Sequence, residues 1–379
     1  MKKIIYADNA ATTKLDIDAF NVMKAFLLNE YANPSSKYSF SRPAKKAIKE
    51  ARQSIADCLN TKSEEIFFTS GGSEGDNWIL KSVAHSTSKR HIITSVIEHH
   101  AILETCQKLE REGYQVTYLP VDNSGHISVE DLEKAITSDT TLVSIMMANN
   151  EIGTIQKIKE LAEVAHENGV LFHTDAVQAV GHIPIDMEVL KVDFLTASAH
   201  KFNGYKGTGF VYIKEQNKIE PFIFGGAQEK QMRAGTENVA GIAAMATALK
   251  KNVQNMQEND KKTRAVVNAL IEELRSCKLD FIRNGSDDLL PGIVSLSFKN
   301  SDGELVLHRL DLQGICISTG AACNSVETVA SHVISAIGLT DNYANGTIRV
   351  SFNQDNTEEE ARIIANEICR IINSKNRCF

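Results

Sequence analysis

The stretch "IKELAEVAHENGVLFHTDAVQAVGHIPIDMEVLKVDFLTASA", residues 158–199, decides the fold. Its first part, "IKELAEVAHEN", has the pattern of a helix, whereas "VLFHTDA" and "DFLTASA" have the near-continuous apolar character of strands. Strands of this kind are buried on both faces, which is typical of parallel strands covered by helices. The stretch therefore predicts an α/β fold with a mostly parallel sheet between two layers of helices.

The same alternation extends outward, from about residue 43 to residue 215. The segment "PAKKAIKEARQSIADCL" has a helical apolar stripe with a proline in its first turn. The predicted strands "EIFFTS", "HIITSV", "QVTYLP" and "TLVSIMMA" alternate with further helical segments. Because ligands of such sheets bind in the crevice at the carboxyl ends of the strands, we expect the functional site there.

The remaining sequence predicts a second, smaller domain. The pattern from Asn238 to about Cys277 is that of one long helical connector. After it come the predicted strands "GIVSLSF", "GICIS" and "TIRVSF" and a closing helix, "EEEARIIANEICRIINS". We predict a large domain at residues 13–255 and a small α+β domain formed by residues 1–12 and 256–379.

The composition predicts a cytoplasmic protein. The chain has 379 residues and a formal net charge of −7, which argues against a broad surface for nucleic acid or for an anionic membrane. No apolar window approaches the roughly 18 residues of a membrane span, and "MKKIIYADNAATT" lacks the features of a signal peptide. Seven irregularly spaced cysteines without a CxxC pair indicate reduced thiols rather than a disulfide framework or a structural zinc site.

Polar residues follow several of the predicted strands at the edge where we expect the site. Gly71, Gly72 and Ser73 come after "IFFTS", and tight glycine turns beside a helix-capping serine suit an anion such as phosphate. A plain capped turn has the same pattern, so this loop alone leaves both interpretations open. The other candidates at this edge are His99, Asn150, Asp175, Gln178, Ser198, His200 and Lys201.

Together these residues match the needs of pyridoxal phosphate, which are an anion site, a lysine for a Schiff base and a carboxylate beside the ring nitrogen. In this interpretation residues 71–73 hold the phosphate and Asp175 keeps the pyridine nitrogen protonated. His99 lies on the face of the ring. Lys201 supplies the amine, because partial burial at a strand end disfavours the ammonium form and favours the nucleophile.

Zinc binding is the main alternative for the same part of the chain. The possible ligands are His91, His99, His100, His166, His173 and Asp175. However, no HExxH spacing is present, and a zinc site leaves Lys201 and the glycine loop unexplained. We therefore expect no metal.

One cysteine differs from the others in its surroundings. Cys323 lies in "STGAACNS", where small and polar neighbours predict an exposed, mobile loop. A thiol near a cofactor suggests sulfur chemistry, although an ordinary loop cysteine has similar flanks.

Nine motifs together resemble one family over nearly the whole chain. In order they are "YADNAATT", "NPSS", "FTSGGSEGDN", "EHHA", "NNEIGT", "HTDAVQA", "SAHKFNGYKGTG", "RAGTEN" and "STGAACNS". They are similar to the motifs of the NifS/IscS-type cysteine desulfurases, which are pyridoxal phosphate enzymes of fold type I in the class V aminotransferase superfamily. The resemblance implies the α/β PLP-dependent transferase fold, with the small domain carrying a catalytic-cysteine loop.

The resemblance also implies a role for each candidate residue. Lys201 forms the Schiff base, His99 stacks on the ring and Asp175 pairs with its nitrogen. The remaining implied cofactor contacts are Asn150 and Gln178 at the ring hydroxyl, and Gly72, Ser73, Ser198 and His200 at the phosphate. Thr236 is expected to reach the phosphate of a partner subunit in a homodimer. Asn33 and Arg349 are expected to bind the substrate carboxylate, and Cys323 to carry the persulfide.

The implied reaction converts L-cysteine into L-alanine and leaves a persulfide on Cys323. A sulfur-acceptor protein, either a scaffold or a thiolase-type protein, would then receive the sulfur for iron–sulfur clusters or thiolation. Two other hypotheses stay open at this point. One is a relative with the same cofactor, such as a selenocysteine lyase or an aminotransferase, and the other is a non-catalytic protein that kept the fold.

Overall fold

The computed structural model describes residues 4–214, 219–319 and 331–375. The strands in these ranges are β1 (Ile5–Tyr6), β2 (Ile66–Thr69), β3 (His91–Ser95), β4 (Gln115–Leu119), β5 (Thr140–Ser144), β6 (Leu171–Asp175), β7 (Phe194–Ser198), β8 (Gly209–Ile213), β9 (Phe281–Asn284), β10 (Ile293–Phe298), β11 (Ile315–Cys316) and β12 (Thr347–Ser351).

The α-helices of the same ranges alternate with these strands in the first half of the chain. They are α1 (Ile17–Leu28), α2 (Arg42–Leu59), α3 (Gly72–His85), α4 (His100–Arg111), α5 (Val129–Ala135), α6 (Ile158–Glu167), α7 (Met187–Leu190), α8 (Val239–Gln254), α9 (Met256–Ser276), α10 (Gly303–Asp311), α11 (His332–Ala336), α12 (Asp341–Ala344) and α13 (Glu358–Lys375). No helix in the described ranges combines the length and the apolar character that crossing a membrane requires.

The main sheet has seven strands among the described residues, in the order β2-β8-β7-β6-β5-β3-β4. Strand β8 runs antiparallel to both of its neighbours, and the other pairs are parallel. Every residue of β3, β5 and β7 is buried, as expected for strands with helices on both faces. The predicted α/β architecture with a mostly parallel sheet is therefore confirmed.

A second apolar core lies around the carboxyl-terminal part of the chain. There β9, β10 and β12 form an antiparallel sheet in the order β12-β10-β9, and β1 pairs in parallel with β11. Helices α9 and α13 pack on this sheet through buried residues such as Leu270 and Ile368. The amino-terminal strand therefore joins the sheet region formed by the end of the chain. The residues that follow it pass over the edge of the main sheet where we expect the functional site.

Two details differ from the sequence-based expectations. The single long helix predicted from Asn238 to about Cys277 is two helices, α8 and α9, which meet at Asn255. The prediction that the thiols are reduced is wrong for one pair, because Cys277 and Cys369 form a disulfide between the end of α9 and α13. Local sequence patterns carry no signal for a bond between residues 92 positions apart.

Candidate active site

A cavity of about 260 Å³ opens at the carboxyl ends of the parallel strands. Its lining comes from several separate stretches of the chain, which the sheet brings to one edge. The lining residues are Ala10, Ala11, Gly72, Ser73, Asp76, His99, Met146, Ala148, Asn150, Asp175, Val177, Gln178, Ser198, His200, Lys201 and Arg349. Most of the residues predicted from the sequence therefore meet in one place.

The glycine loop forms one wall of the cavity at the start of α3. A Cβ atom on Gly72 would lie 2.7 Å from Cγ2 of Val177, so only glycine fits without a shift. Gly71 has a φ of 152°, a backbone conformation that other residues rarely adopt. The first turn of a helix has N–H groups without partners inside the helix, and here they adjoin the hydroxyls of Ser73 and Ser198. This arrangement suits a phosphate group.

Asp175 is the last residue of β6 and is buried. The backbone N–H of Val177 donates to its Oδ1 atom over 2.9 Å, which fixes the carboxyl group. Burial raises the pKa of the Asp175 carboxyl, whereas the neighbouring His99 and Lys201 lower it. A buried carboxylate of this kind gains from a further cation in the cavity, such as a protonated ring nitrogen.

Lys201 ends the short 3₁₀ turn Ala199–Lys201 that follows β7. Its Nζ atom donates to the carbonyl oxygens of Ala10 and Ala11, at 2.6 and 2.9 Å. Burial lowers the pKa of the Lys201 amine to about 8, with a further lowering from Arg349 and an opposing effect from Asp175. The amine is thus positioned in the cavity and loses its proton more easily than a surface lysine.

Two histidines flank this amine. His99 caps α4, and its Nδ1 atom accepts the backbone N–H of Ala101 over 3.0 Å, so its Nε2 atom carries the proton of the neutral ring. Burial lowers the pKa of the His99 imidazole; Asp175 opposes that shift and Lys201 adds to it. His200 lies 3.1 Å from the hydroxyl of Thr12 through Nδ1, and burial lowers its pKa to about 4. Both rings are therefore neutral near pH 7.

Comparison with known proteins assigns the chain to a family. The aminotransferase class-V family model matches residues 5–364. The chain belongs to this family. It is 46% identical over 380 residues to the cysteine desulfurase IscS of Clostridium botulinum, a match that covers 99% of this chain and 96% of the relative. The resemblance to the cysteine desulfurases that the motifs suggested is thereby confirmed.

Solved structures agree with this assignment. A NifS-like protein of 39% identity superposes with a TM-score of 0.92 and covers 98% of this chain and 100% of its own. A second structure, described as SspA in complex with cysteine, is 35% identical, has a TM-score of 0.82 and covers 93% of this chain and 99% of its own. The predicted fold type, that of the class V pyridoxal phosphate enzymes, is confirmed.

Two described residues predicted for the site of this class V enzyme, Asn33 and Thr236, do not line the cavity. Asn33 and Thr236 are exposed on the surface of the chain. The Asn33 carboxamide accepts the backbone N–H of Ser35 over 2.9 Å instead of facing the cavity. Cys323 lies outside the described residues. The assigned roles of these three residues stay predictions.

No role was predicted from the sequence for three acids at or beside the cavity, of which Asp76 and Glu98 are buried and Asp8 is half-buried. Asp76 lines the cavity with an Oδ1 atom that has no hydrogen-bond partner among the described residues. Glu98 lies directly before His99, and burial raises its pKa to about 8. Asp8 forms an ion pair of 2.8 Å with Arg349. Asp8 belongs to "YADNAATT", so its motif was noticed, but only the fold brings it to an arginine 341 residues away.

The histidines considered for zinc are dispersed by the fold. His91 contacts Thr140, His166 contacts Asp193, and His173 contacts Ser144. Within residues 4–214, 219–319 and 331–375, no group of three or more His, Cys, Asp or Glu side chains has an arrangement that could hold a metal ion. The zinc alternative therefore has no support in this part of the chain.

Proposed function

We propose that this member of the aminotransferase class-V family converts L-cysteine into L-alanine with the help of pyridoxal phosphate and transfers the sulfur to Cys323. The observation that carries the proposal is that a half-buried amine and a buried carboxylate meet at the ends of neighbouring strands. Lys201 follows β7 and Asp175 ends β6, and both line one cavity together with Arg349. The similarity to cysteine desulfurases favours this reaction over that of a selenocysteine lyase.

The residues of the cavity fit pyridoxal phosphate. The glycine loop with Ser73, Ser198 and His200 would hold the phosphate, and Asn150 and Gln178 would lie near the ring hydroxyl. Asp175 is a buried carboxylate suited to a ring N–H, and His99 presents a flat neutral ring. When bound, the cofactor supplies an electron sink that acidifies the α-hydrogen of an amino acid. A phosphate cradle, a buried carboxylate and a lysine of lowered pKa are the groups that this chemistry needs.

The side chains of the protein then bind the substrate and move protons. Arg349 would bind the α-carboxylate of cysteine, because a guanidinium matches two carboxylate oxygens. Lys201, whose pKa is lowered to about 8, would take the α-proton and return a proton to the carbon skeleton. His99 lines the same cavity with a protonated Nε2 atom and would serve as a further proton donor or acceptor.

Sulfur transfer requires a thiolate from the protein. The Cys323 thiolate would attack the sulfur of the substrate and form an S–S bond, while the bond between carbon and sulfur breaks and leaves its electron pair on carbon. Protonation of that carbon gives alanine, so no external oxidant or reductant is needed. The persulfide on Cys323 would pass to a scaffold or thiolase-type acceptor protein.

We further propose a cytoplasmic homodimer. In a dimer the exposed Thr236 would reach the phosphate site of a second copy, which would explain why it lies outside the cavity of its own chain. The exposed Asn33 would complete the carboxylate site only after a change in its loop or the approach of a partner. The formal net charge of −7 fits a protein that binds neither nucleic acid nor an anionic membrane surface.

Purified protein loaded with pyridoxal phosphate tests this function. We expect a yellow protein in which borohydride fixes the cofactor to Lys201. Incubation with L-cysteine should give alanine and a Cys323 peptide heavier by one sulfur atom, measured by mass spectrometry. Cys323→Ser should keep the colour and lose the persulfide, whereas the control Cys58→Ser should keep both. A protein that stays colourless with added cofactor would contradict the proposal.

A further inference from the structure

The guanidinium of Arg349 has two fixed contacts and one free edge. Its Nη2 atom donates to Oδ1 of Asp8 over 2.8 Å, and its Nη1 atom donates to the carbonyl oxygen of Asn150 over 3.0 Å. The Nε atom is buried and has no hydrogen-bond partner among the described residues. Arg349 itself is only 6% exposed and lines the cavity. A buried N–H without a partner is costly, so the free edge points to a missing acceptor.

The backbone around Asp8 is held firmly against β12, the strand that carries Arg349. Asp8 forms a parallel bridge with Ser351, two residues beyond the arginine. The Ser351 N–H donates to Ala7 over 2.8 Å, and the Asn9 N–H donates to Ser351 over 3.1 Å. The Ser351 hydroxyl accepts the N–H of Ala10 over 2.9 Å. Asp8 therefore has little freedom, and it limits the rotation of the guanidinium that it binds.

We propose that Asp8 is a positioning residue that turns the Nε edge of Arg349 toward the α-carboxylate of the substrate. This inference rests on the proposed function, because it assigns a carboxylate-bearing amino acid to the cavity. Asp8 accepts one N–H of Nη2 and Asn150 one N–H of Nη1, which leaves the Nε N–H and one N–H on each Nη atom for a carboxylate. Asp8 also balances the charge of a guanidinium that is buried before substrate enters.

Residues that follow Asp8 in the N-terminal segment hold the reactive amine. The role of Asp8 therefore differs from that of its neighbours in the chain. The carbonyls of Ala10 and Ala11 accept from Lys201, and that of Ala10 also accepts from Gln178 over 3.0 Å. Asp8 contacts neither side chain by hydrogen bond among the described residues. Asp8 acts on Lys201 only through its charge, which raises the pKa of the amine, so its loss favours the neutral amine. Loss of the Asp8 carboxylate should therefore disturb carboxylate binding and leave cofactor attachment intact.

The test compares Asp8→Ala, Asp8→Asn and the control Asp18→Asn in the cofactor-loaded protein. Asp18 is an exposed acid near the start of α1 that pairs with Lys251 and lies outside the cavity. For Asp8→Ala we expect the KM for L-cysteine to rise roughly tenfold to a hundredfold, as for loss of a charged hydrogen bond. The kcat should change less than about threefold, and the cofactor absorbance should match that of the wild type.

Binding of two partial substrates supplies a readout that does not depend on turnover. Mercaptopropionate has the carboxylate without the amine, and cysteamine has the amine without the carboxylate. In equilibrium dialysis, Asp8→Ala should weaken mercaptopropionate binding in proportion to the rise in KM and leave cysteamine binding unchanged. Asp8→Asn keeps an oxygen acceptor for Nη2, so it should lie between the wild type and Asp8→Ala.

An Asp8→Ala variant with an unchanged or lower KM would overturn the proposal, as would an equal loss of affinity for both partial substrates. If Asp8→Ala does not fold, Asp8→Asn decides alone: weaker mercaptopropionate binding with unchanged cysteamine binding supports the role of Asp8, and unchanged binding of both overturns it. If the wild-type protein makes no alanine from L-cysteine, the proposed function fails, while the dialysis result still decides whether Asp8 positions Arg349 for a carboxylate.

Discussion

At the scale of single residues, the site depends on the protonation of one amine. Lys201 is surrounded by backbone carbonyls, by the buried Asp175 and by the guanidinium of Arg349. Burial is the largest effect on its pKa and favours the neutral amine. The two nearby histidines are neutral for the same reason. Burial therefore prepares a nucleophile and a base near physiological pH.

This setting predicts the pH dependence of cofactor uptake by the cofactor-free protein. Only the neutral amine attacks an aldehyde, and the pKa of Lys201 is lowered to about 8. The rate of uptake, followed by absorbance, should rise roughly tenfold per pH unit below about 8 and level off above it. The control is Nα-acetyl-lysine, which has a free ε-amine, mixed with the same cofactor. The rate of its reaction should rise up to about pH 10. If cofactor uptake by the protein has the same pH dependence as the control, Lys201 is an ordinary, solvated lysine and the prediction is wrong.

The site residues that could be predicted from the sequence share their place at the carboxyl ends of strands. Asp175 ends a strand and Lys201 and His99 each follow one. The carboxyl ends of parallel strands meet at one edge whatever the details of packing. Their convergence could therefore be predicted from local patterns. The pair of Asp8 and Arg349 could not, because it depends on how the residues that follow the first strand dock against the last strand. Local periodicity contains no information on that contact.

At the scale of elements, the disulfide between Cys277 and Cys369 ties α9 to α13. These two helices cover the sheet formed by β9, β10 and β12. The sequence predicted helical structure for both segments, with α9 as part of one connector that also contained α8. It could not predict their mutual contact or the break between α8 and α9, because each results from packing rather than from the pattern of one segment.

The bond has consequences for thiol content and stability. Of the seven cysteines, five should react with a thiol reagent in denaturant without reductant. Cys277→Ser should lower the free energy of unfolding by about 2–5 kcal/mol, because the cross-link restricts the unfolded chain. Denaturant titration measures the change, and reductant should reduce the stability of the wild type to that of the variant. Cys58→Ser, in α2, is the control. A count of seven reactive thiols would show that the bond does not form in solution.

At the scale of the whole molecule, an apolar surface is exposed that the described residues do not cover. Helix α1 buries Ala19 and Met23. Another side of the helix exposes Ile17, Phe20, Leu27 and Leu28, and the following loop exposes Tyr31. The spacing of the four helical residues places them along one stripe. Contiguous exposed apolar side chains of this kind mark an interaction surface, which fits the proposed homodimer.

The dimer can be tested by placing a charge in this stripe. Leu28 is 62% exposed, so Leu28→Asp should leave the folded chain intact and shift a dimer toward monomer in sedimentation velocity experiments. Because Thr236 is expected to serve the phosphate site of the partner, the monomeric variant should also release pyridoxal phosphate roughly tenfold more readily, as after loss of one charged hydrogen bond. Val189→Asp, at a side chain 52% exposed in α7, is the matched control and should change neither property. A dimer that survives Leu28→Asp with the same dissociation constant would place the interface elsewhere. If the monomer retains its cofactor as tightly as the wild type, Thr236 does not contribute to the phosphate site of a partner.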